Sequence, residues 1–234
     1  MSNKVIALIP VKKLAAVKGR LETVLRPIER QALTLLCLYW VLKAISHSQL
    51  ITKAIVIGSD SIVNRVAREC GANWLDDPGW TLNESLEQGF AHIAQSDAAA
   101  ALFLPCDLPF VTPLELDRFV GIDKDFSNIV LAPSHDGGTN AILLPNHLRF
   151  QPNMGPGSLA LHLEQVQRMG LTPILQHTPG LTFDVDTPED FQNLSHKMPT
   201  IQEELSRWRL FLDTPSAPLP TLITSLAGEQ TNPE

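Results

Sequence analysis

Residues 5–21 read VIALIPVKKLAAVKGRL, and this stretch decides the fold. Val5 to Ile9 is a short, wholly apolar run rich in β-branched residues, which predicts a buried strand. It passes through Pro10 and Val11 into a loop carrying Lys12, Lys13, Lys18 and Arg20. Working outward, similar runs recur at Ala54 to Ile57, Ala99 to Leu104 and Ile129 to Ala132, with helix-period segments between them. That alternation predicts right-handed βαβ crossovers and a mostly parallel sheet covered on both faces. The expected class is therefore α/β, and ligands should gather where strands end and loops lead into helices.

The segment from Pro27 to Ser46 opens on proline and carries apolar residues at Ile28, Leu33, Leu36, Val41 and Ile45, which predicts a long, largely buried helix. Tyr39 and Trp40 read as core. Thr112-Pro113-Leu114-Glu115 and Thr200-Ile201-Gln202-Glu203 fit capping boxes, and Thr187-Pro188 sets an N-cap before a proline, so helices should start after positions 112, 187 and 200. The expected organisation is one domain over residues 1–197 and a helix over 198–214 packed on it or on a second copy in a homodimer. A flexible, proline- and threonine-rich tail is expected over 215–234.

The chain has 234 residues, 44% of them hydrophobic, enough for one sizeable core. A net charge of -7 gives no reason to expect nonspecific attraction to nucleic acid or to an anionic membrane, so an anionic substrate must be held by local groups. Cys37, Cys70 and Cys106 form no CxxC pair and read as structural thiols. No apolar run approaches the ~18 residues of a membrane span, and the reading is a soluble, cytoplasmic protein. The histidines show no HExxH spacing and there is no GxSxG elbow, which argues against a zinc enzyme and a serine hydrolase.

Five loops can carry chemistry. Lys12, Lys18 and Arg20 can neutralise a triphosphate from several sides; a solvated basic turn is the plain alternative. In Leu104-Pro105-Cys106-Asp107-Leu108-Pro109, two prolines stiffen the presentation of Asp107, either as a magnesium ligand or as a helix cap. In Phe183-Asp184-Val185-Asp186-Thr187-Pro188, two carboxylates at i and i+2 project to one side of an extended segment and favour a cation between them. The paired glycines of Ser134-His135-Asp136-Gly137-Gly138-Thr139-Asn140-Ala141 can turn amides toward an anion. Met154-Gly155-Pro156-Gly157-Ser158, just before a helix, offers free amides, a hydroxyl and a positive dipole end. His162 lies on the same helix face as Ser158, in reach of the same ligand or as a structural histidine.

Taken in order, IPVKKLAAVKGRL, LPCDLPFVTP, APSHDGGTNAILL, MGPGSLALH and FDVDTPED resemble the 2-phospho-L-lactate or phosphoenolpyruvate guanylyltransferase family of coenzyme F-420 biosynthesis. The resemblance spans Ile6 to Leu194. LPxDLP and DxDTPED recur in related nucleotidyltransferases, whereas DGGTNA followed by GPxS and a histidine is narrower. Gly19 and Met154 depart from the serine and phenylalanine common in the family.

The resemblance implies a three-layer α/β/α sandwich like the nucleotide-diphospho-sugar transferases, magnesium on Asp107, Asp184 and Asp186, and an acceptor held near Thr139, Gly155 and Ser158. Nucleotide phosphates fall to Lys12, Lys18, Arg20 and Asn83, with Lys18, Arg20 and Asp107 at the reacting centre. The implied reaction moves GMP from GTP to 2-phospho-L-lactate, phosphoenolpyruvate or 3-phosphoglycerate and releases pyrophosphate. The phosphate dianion needs no strong general base. A transferase for sugar phosphates or molybdopterin, and a nonenzymatic nucleotide-binding domain, are the alternatives.

Overall fold

A computed structural model describes residues 4–77, 81–214 and 216–223. The chain runs β1 (Val5–Val11), α1 (Pro27–Ser46), β2 (Ile51–Gly58), α2 (Ser61–Glu69), β3 (Asn73–Asp76), α3 (Leu82–Ala94) and β4 (Ala100–Phe103). It continues through α4 (Pro113–Val120), β5 (Val130–Pro133), β6 (Thr139–Pro145), α5 (Ser158–Arg168), β7 (Ile174–Leu175), α6 (Pro179–Thr182), α7 (Pro188–Lys197) and α8 (Ile201–Asp213). One sheet collects the strands in the order β3-β2-β1-β4-β6-β5-β7. Every neighbouring pair is parallel except β4 with β6 and β5 with β6. The expected parallel sheet therefore holds one reversed strand.

Alternation along β1 builds both cores. Val5, Ala7, Ile9 and Val11 face one apolar cluster with α1, α4 and α8, while Ile6 and Leu8 face the other with α3. Burial on both sides is what a continuous apolar strand predicts. In α3, Gly89 rests directly on the Leu8 side chain, where a Cβ would overlap it. Helix and sheet approach closely there.

The helix bounds follow local chemistry. α1 begins at Pro27 and ends at Ser46, as its pattern predicts. Thr112 caps α4 and Thr187 caps α7, each closing a box with the acid three residues on. α8 starts where expected, but Thr200 has helical dihedrals (φ -80°, ψ 0°) and does not cap with its side chain. Thr81 closes a box with Glu84 at the start of α3 that the pattern did not single out.

α8 packs on α1 of the same chain. Trp208 is wholly buried, edge-on to Tyr39 at 5.6 Å, and Phe211 lies 5.6 Å beyond. Residues 216–223 of the expected tail lie against α2 and α8, with Arg207 donating to Thr221 O (2.9 Å) and Ile223 N to Glu204 Oε1 (2.7 Å). The remaining residues of that expectation, 215 and 224–234, lie outside the described residues. No helix among the described residues is long and apolar enough to cross a membrane.

Candidate active site

The basic loop after β1 is short-stepped and pinned at both ends. Leu14 N donates to Asp60 Oδ2 (3.2 Å), the same carboxylate that caps α2 through Ile62 N (2.9 Å). Lys18 adopts left-handed dihedrals (φ 49°, ψ 45°) before a single 3-10 turn, Gly19–Leu21. For a residue with a Cβ this conformation is costly. Here it sends the side chain inward.

Lys18 Nζ donates to Val185 O (2.6 Å), Asp107 Oδ2 (3.1 Å) and Asp186 Oδ1 (3.4 Å), with only 5% of the side chain exposed. Burial alone would lower its pKa, but Asp107 and Asp186 outweigh it and hold the ammonium above the usual lysine range. Val185 N donates to Asp107 O (3.2 Å), so one backbone unit ties the two acid-bearing loops together. Thr112 and Thr187 are the caps of the helices that follow. Neither Asp107, Asp184 nor Asp186 is spent as a cap, so the helix-cap reading falls away.

Asp184 receives Asn140 Nδ2 at Oδ1 (3.1 Å), and His135 Nδ1 stands 3.5 Å from the same oxygen. Burial, then the charge of Asp107, push its pKa up to about 6, the Asn140 hydrogen bond opposing them and Asp186 adding to the rise. Asp190 Oδ2 accepts from Asp186 N (3.1 Å) and Thr187 N (2.8 Å), so the capping box also positions Asp186. Asn140, His135 and the backbone of Val185 carry no signal that marks them in the sequence beforehand; Asn140 and His135 lie within the quoted APSHDGGTNAILL segment without an assigned task.

Lys12, Lys18, Arg20, Asp107 and Asp186 line one cavity of about 420 Å³, together with Pro10, Thr34, Ser85 and Cys106. Asn83, Thr139, Gly155, Ser158 and Asp184 are outside that lining. A larger hollow of about 670 Å³, bounded by Phe90, Leu144 and Phe150, contains none of the expected site residues. The Cys106 and Cys37 thiols are pushed up by burial, Cys37 to about 12, which fits inert structural roles.

The second group forms around the reversed strand. Because β6 runs against β4, its first residues lie where β4 and β5 end, so Thr139 and Asn140 reach the same edge as Asp107. The two glycine amides before it are not left for a bound anion. Gly137 N donates to Ser134 O (3.4 Å) and Gly138 N to Asp136 Oδ1 (3.1 Å), both consumed by the hairpin turn. The amides at the start of α5 are also engaged: Ser158 N with Gly155 O (3.1 Å), Leu159 N with Gly137 O (3.4 Å) and Ala160 N with Gly157 O (3.2 Å). Gly155 (φ 133°) and Gly157 (φ 69°) supply the backbone conformations this bend requires. Asn83 Oδ1 accepts from Met154 N (2.7 Å), which puts Asn83 against the loop of Gly155 and not in the basic cavity.

Thr139 and Ser158 are buried, and Ser158 Oγ lies 3.2 Å from Thr139 Oγ1. His162, fully buried, places Nδ1 2.9 Å from Thr139 Oγ1 and Nε2 3.0 Å from Asn153 N. It is sealed inside this group, and both of its ring nitrogens are taken by protein partners.

Magnesium, implied by the resemblance, is tested by these donors. Three carboxylates supply the hard oxygens this cation takes, and Asp184 is raised first by burial and then by the neighbouring charge of Asp107, which a cation would offset. Among the described residues no three acidic, histidine or cysteine side chains are drawn into a metal cluster. The Lys18 ammonium stands between Asp107 and Asp186 instead. The donor atoms are of the kind magnesium takes, and the described structure does not gather three of them about one point.

A family model for "Guanylyl transferase CofC like" proteins matches residues 5–204. A phosphoenolpyruvate guanylyltransferase of Rubrobacter xylanophilus is 36% identical over 193 residues, covering 81% of this chain and 93% of the relative. One of Sphaerobacter thermophilus is 36% identical over 195 residues, covering 83% and 94%. Among solved structures, a putative nucleotide-diphospho-sugar transferase of Desulfovibrio desulfuricans superposes with a TM-score of 0.69 at 15% identity, covering 90% of this chain and 98% of that one. A nucleotidyl transferase of Methanothermobacter gives 0.63 at 17% identity, covering 85% and 100%. These two share the fold. With a basic cavity that also holds Asp107 and Asp186, and a match running from β1 into α8, the chain belongs to the CofC-like guanylyl transferase family.

Proposed function

We propose that this protein transfers GMP from GTP to a small phosphorylated carboxylic acid, phosphoenolpyruvate foremost, and releases pyrophosphate, as a step toward coenzyme F-420. The observation that carries this reading is the cavity in which Lys12, Lys18 and Arg20 face Asp107 and Asp186. Lys18 stands between Asp107 and Asp186 there, with Lys12 and Arg20 in the same lining, and a metal-bound triphosphate needs both kinds of charge. The names of the relatives from Rubrobacter and Sphaerobacter support phosphoenolpyruvate as acceptor.

In this reading Lys12, Lys18 and Arg20 hold the triphosphate and neutralise the charge that builds on the leaving pyrophosphate. Asp107, Asp184 and Asp186 would hold magnesium, which when bound supplies positive charge to the phosphate oxygens. Asn83 steadies the loop of Gly155, and Thr139 and Ser158 grip the acceptor. An acceptor phosphate oxygen forms a bond to the α-phosphorus while the bond from that phosphorus to the pyrophosphate oxygen breaks. The nucleophile is already ionised, so positioning does most of the work.

The test is a matrix of nucleoside triphosphates against 2-phospho-L-lactate, phosphoenolpyruvate and 3-phosphoglycerate, with magnesium, scored by pyrophosphate release. Turnover with GTP and one of these acids is expected. Turnover with glucose 1-phosphate and with none of the acids would assign the chain to sugar-phosphate chemistry.

A further inference from the structure

His162 has no exposed surface, and both of its ring nitrogens have partners. The partners settle its proton. Asn153 N is a backbone amide that can only donate, so Nε2 must accept at 3.0 Å and be bare. The neutral ring then carries its proton on Nδ1, which donates to Thr139 Oγ1 at 2.9 Å. Phe150, with its ring centroid 5.3 Å from that of His162, walls the imidazole from the other side.

The consequence falls on the two hydroxyls. Thr139 and Ser158 have one proton each, and the bond between them, 3.2 Å long, uses one. Since Thr139 accepts from His162, the other hydroxyl proton stays uncommitted among the described residues. The opposite tautomer would take the Thr139 proton into Nδ1, Ser158 would donate to Thr139, and the pair would have nothing left to give. The neighbouring amides at the start of α5 are already donated. One uncommitted proton in a buried group is costly until an acceptor meets it.

We infer that His162 is a positioning residue: by holding its proton on Nδ1 against Thr139, it leaves the Thr139–Ser158 pair as a net donor to an ionised oxygen of the acceptor acid. The inference rests on the acceptor assignment proposed above. It goes beyond contact, since His162 itself is sealed from ligand and acts through Thr139.

Two substitutions separate the two ring nitrogens. His162→Asn retains a donor near the Nδ1 position and loses the reach to Asn153; His162→Gln reaches Asn153 with an acceptor and gives up the donor to Thr139. In steady-state kinetics with GTP and phosphoenolpyruvate, His162→Gln is expected to raise the apparent Michaelis constant for the acid about tenfold, the worth of one hydrogen bond to a charged group. The constant for GTP should stay unchanged, and His162→Asn should recover the acid constant to within about threefold of wild type. A merely structural histidine predicts that both variants lose the acid constant alike, in step with their melting temperatures. That result would overturn the inference, as would wild-type constants in a folded His162→Gln protein. Nitrogen-15 spectra of the wild-type imidazole at neutral pH add a reading that needs no turnover: a protonated Nδ1 and bare Nε2 support the inference, and the reverse overturns it while the reaction stands. Wild-type protein that turns over none of the three acids overturns the proposed reaction, and this role with it.

Discussion

Replacing Lys18 by methionine tests how the acid-rich centre is held together. The substitution retains most of the side-chain volume and removes the ammonium that meets Val185 O, Asp107 Oδ2 and Asp186 Oδ1. Breaking a buried ion pair by deleting one partner costs about 3–5 kcal/mol. Here Asp186 is 45% exposed and Asp107 19%, so water takes up part of the lost charge and the lower figure of about 2–3 kcal/mol applies. For a chain of this size each kcal/mol moves the midpoint by about 2–4 °C. In calorimetry with a chelator present, Lys18→Met should therefore melt about 5–10 °C below wild type. Added magnesium should then raise the variant more than the wild type, because the same two carboxylates are no longer held by a tethered cation. Equal melting temperatures with chelator, or equal gains from magnesium in both proteins, would refute the reasoning.

Asp107→Asn, Asp184→Asn and Asp186→Asn should each lower turnover at least about a hundredfold with the far-ultraviolet circular dichroism unchanged, since each removes charge from the proposed cation clamp; wild-type rates in any folded variant would remove that residue from the clamp. The His162 pKa is lowered to about 4 by burial, so the folded state favours the neutral ring. Its contribution is full above the unfolded value near 6.5 and is lost as pH falls through the window from there to about 4. Urea titrations should show wild-type stability declining by up to about 1.4 kcal/mol per pH unit from this group within that window, and His162→Gln should lack that component. At Gly180 a Cβ would stand 2.6 Å from Phe110 O and 2.8 Å from Val111 Cα, so Gly180→Ala should cost about 1–3 kcal/mol in denaturant unfolding. It should also lower turnover, by moving the Asp184 loop off the Asp107 loop.

The strand and helix alternation was legible because burial on both faces of β1 and of the second half of β2 demands unbroken apolar runs. The direction of β6 was not. All seven of its residues are buried, and an apolar run reads the same whichever way the strand lies. That one reversal is why the DGGTNA stretch reaches the site by hydroxyl and carboxamide side chains, with its glycine amides consumed in the turn. The acids of LPCDLP and FDVDTPED were legible because carboxylates before capped helices have little other use. Their junction was not, since the groups that join them, Val185 N and O, belong to the main chain. Lys18 was legible as a site residue; its bond to two of the acids depends on left-handed dihedrals that a lysine codon does not advertise. The short edge strands β3 and β7 owe their form to the neighbours they pair with.

The hairpin turn between β5 and β6 has an exposed tip at His135, Asp136 and Gly137. Such tips are where chains commonly accept extra residues at little thermodynamic cost. This one is constrained from both sides. Gly137 O holds the first turn of α5 through Leu159 N, and Thr139 begins β6 directly beyond. One added residue that propagated into the strand would slide its pairing by about 3.4 Å and exchange its two faces. Thr139 would leave His162, and Asn140 would leave Asp184. Sequence length at this turn is thus a marker of the active site, and library designs that vary surface loops should leave residues 134–138 at their present number.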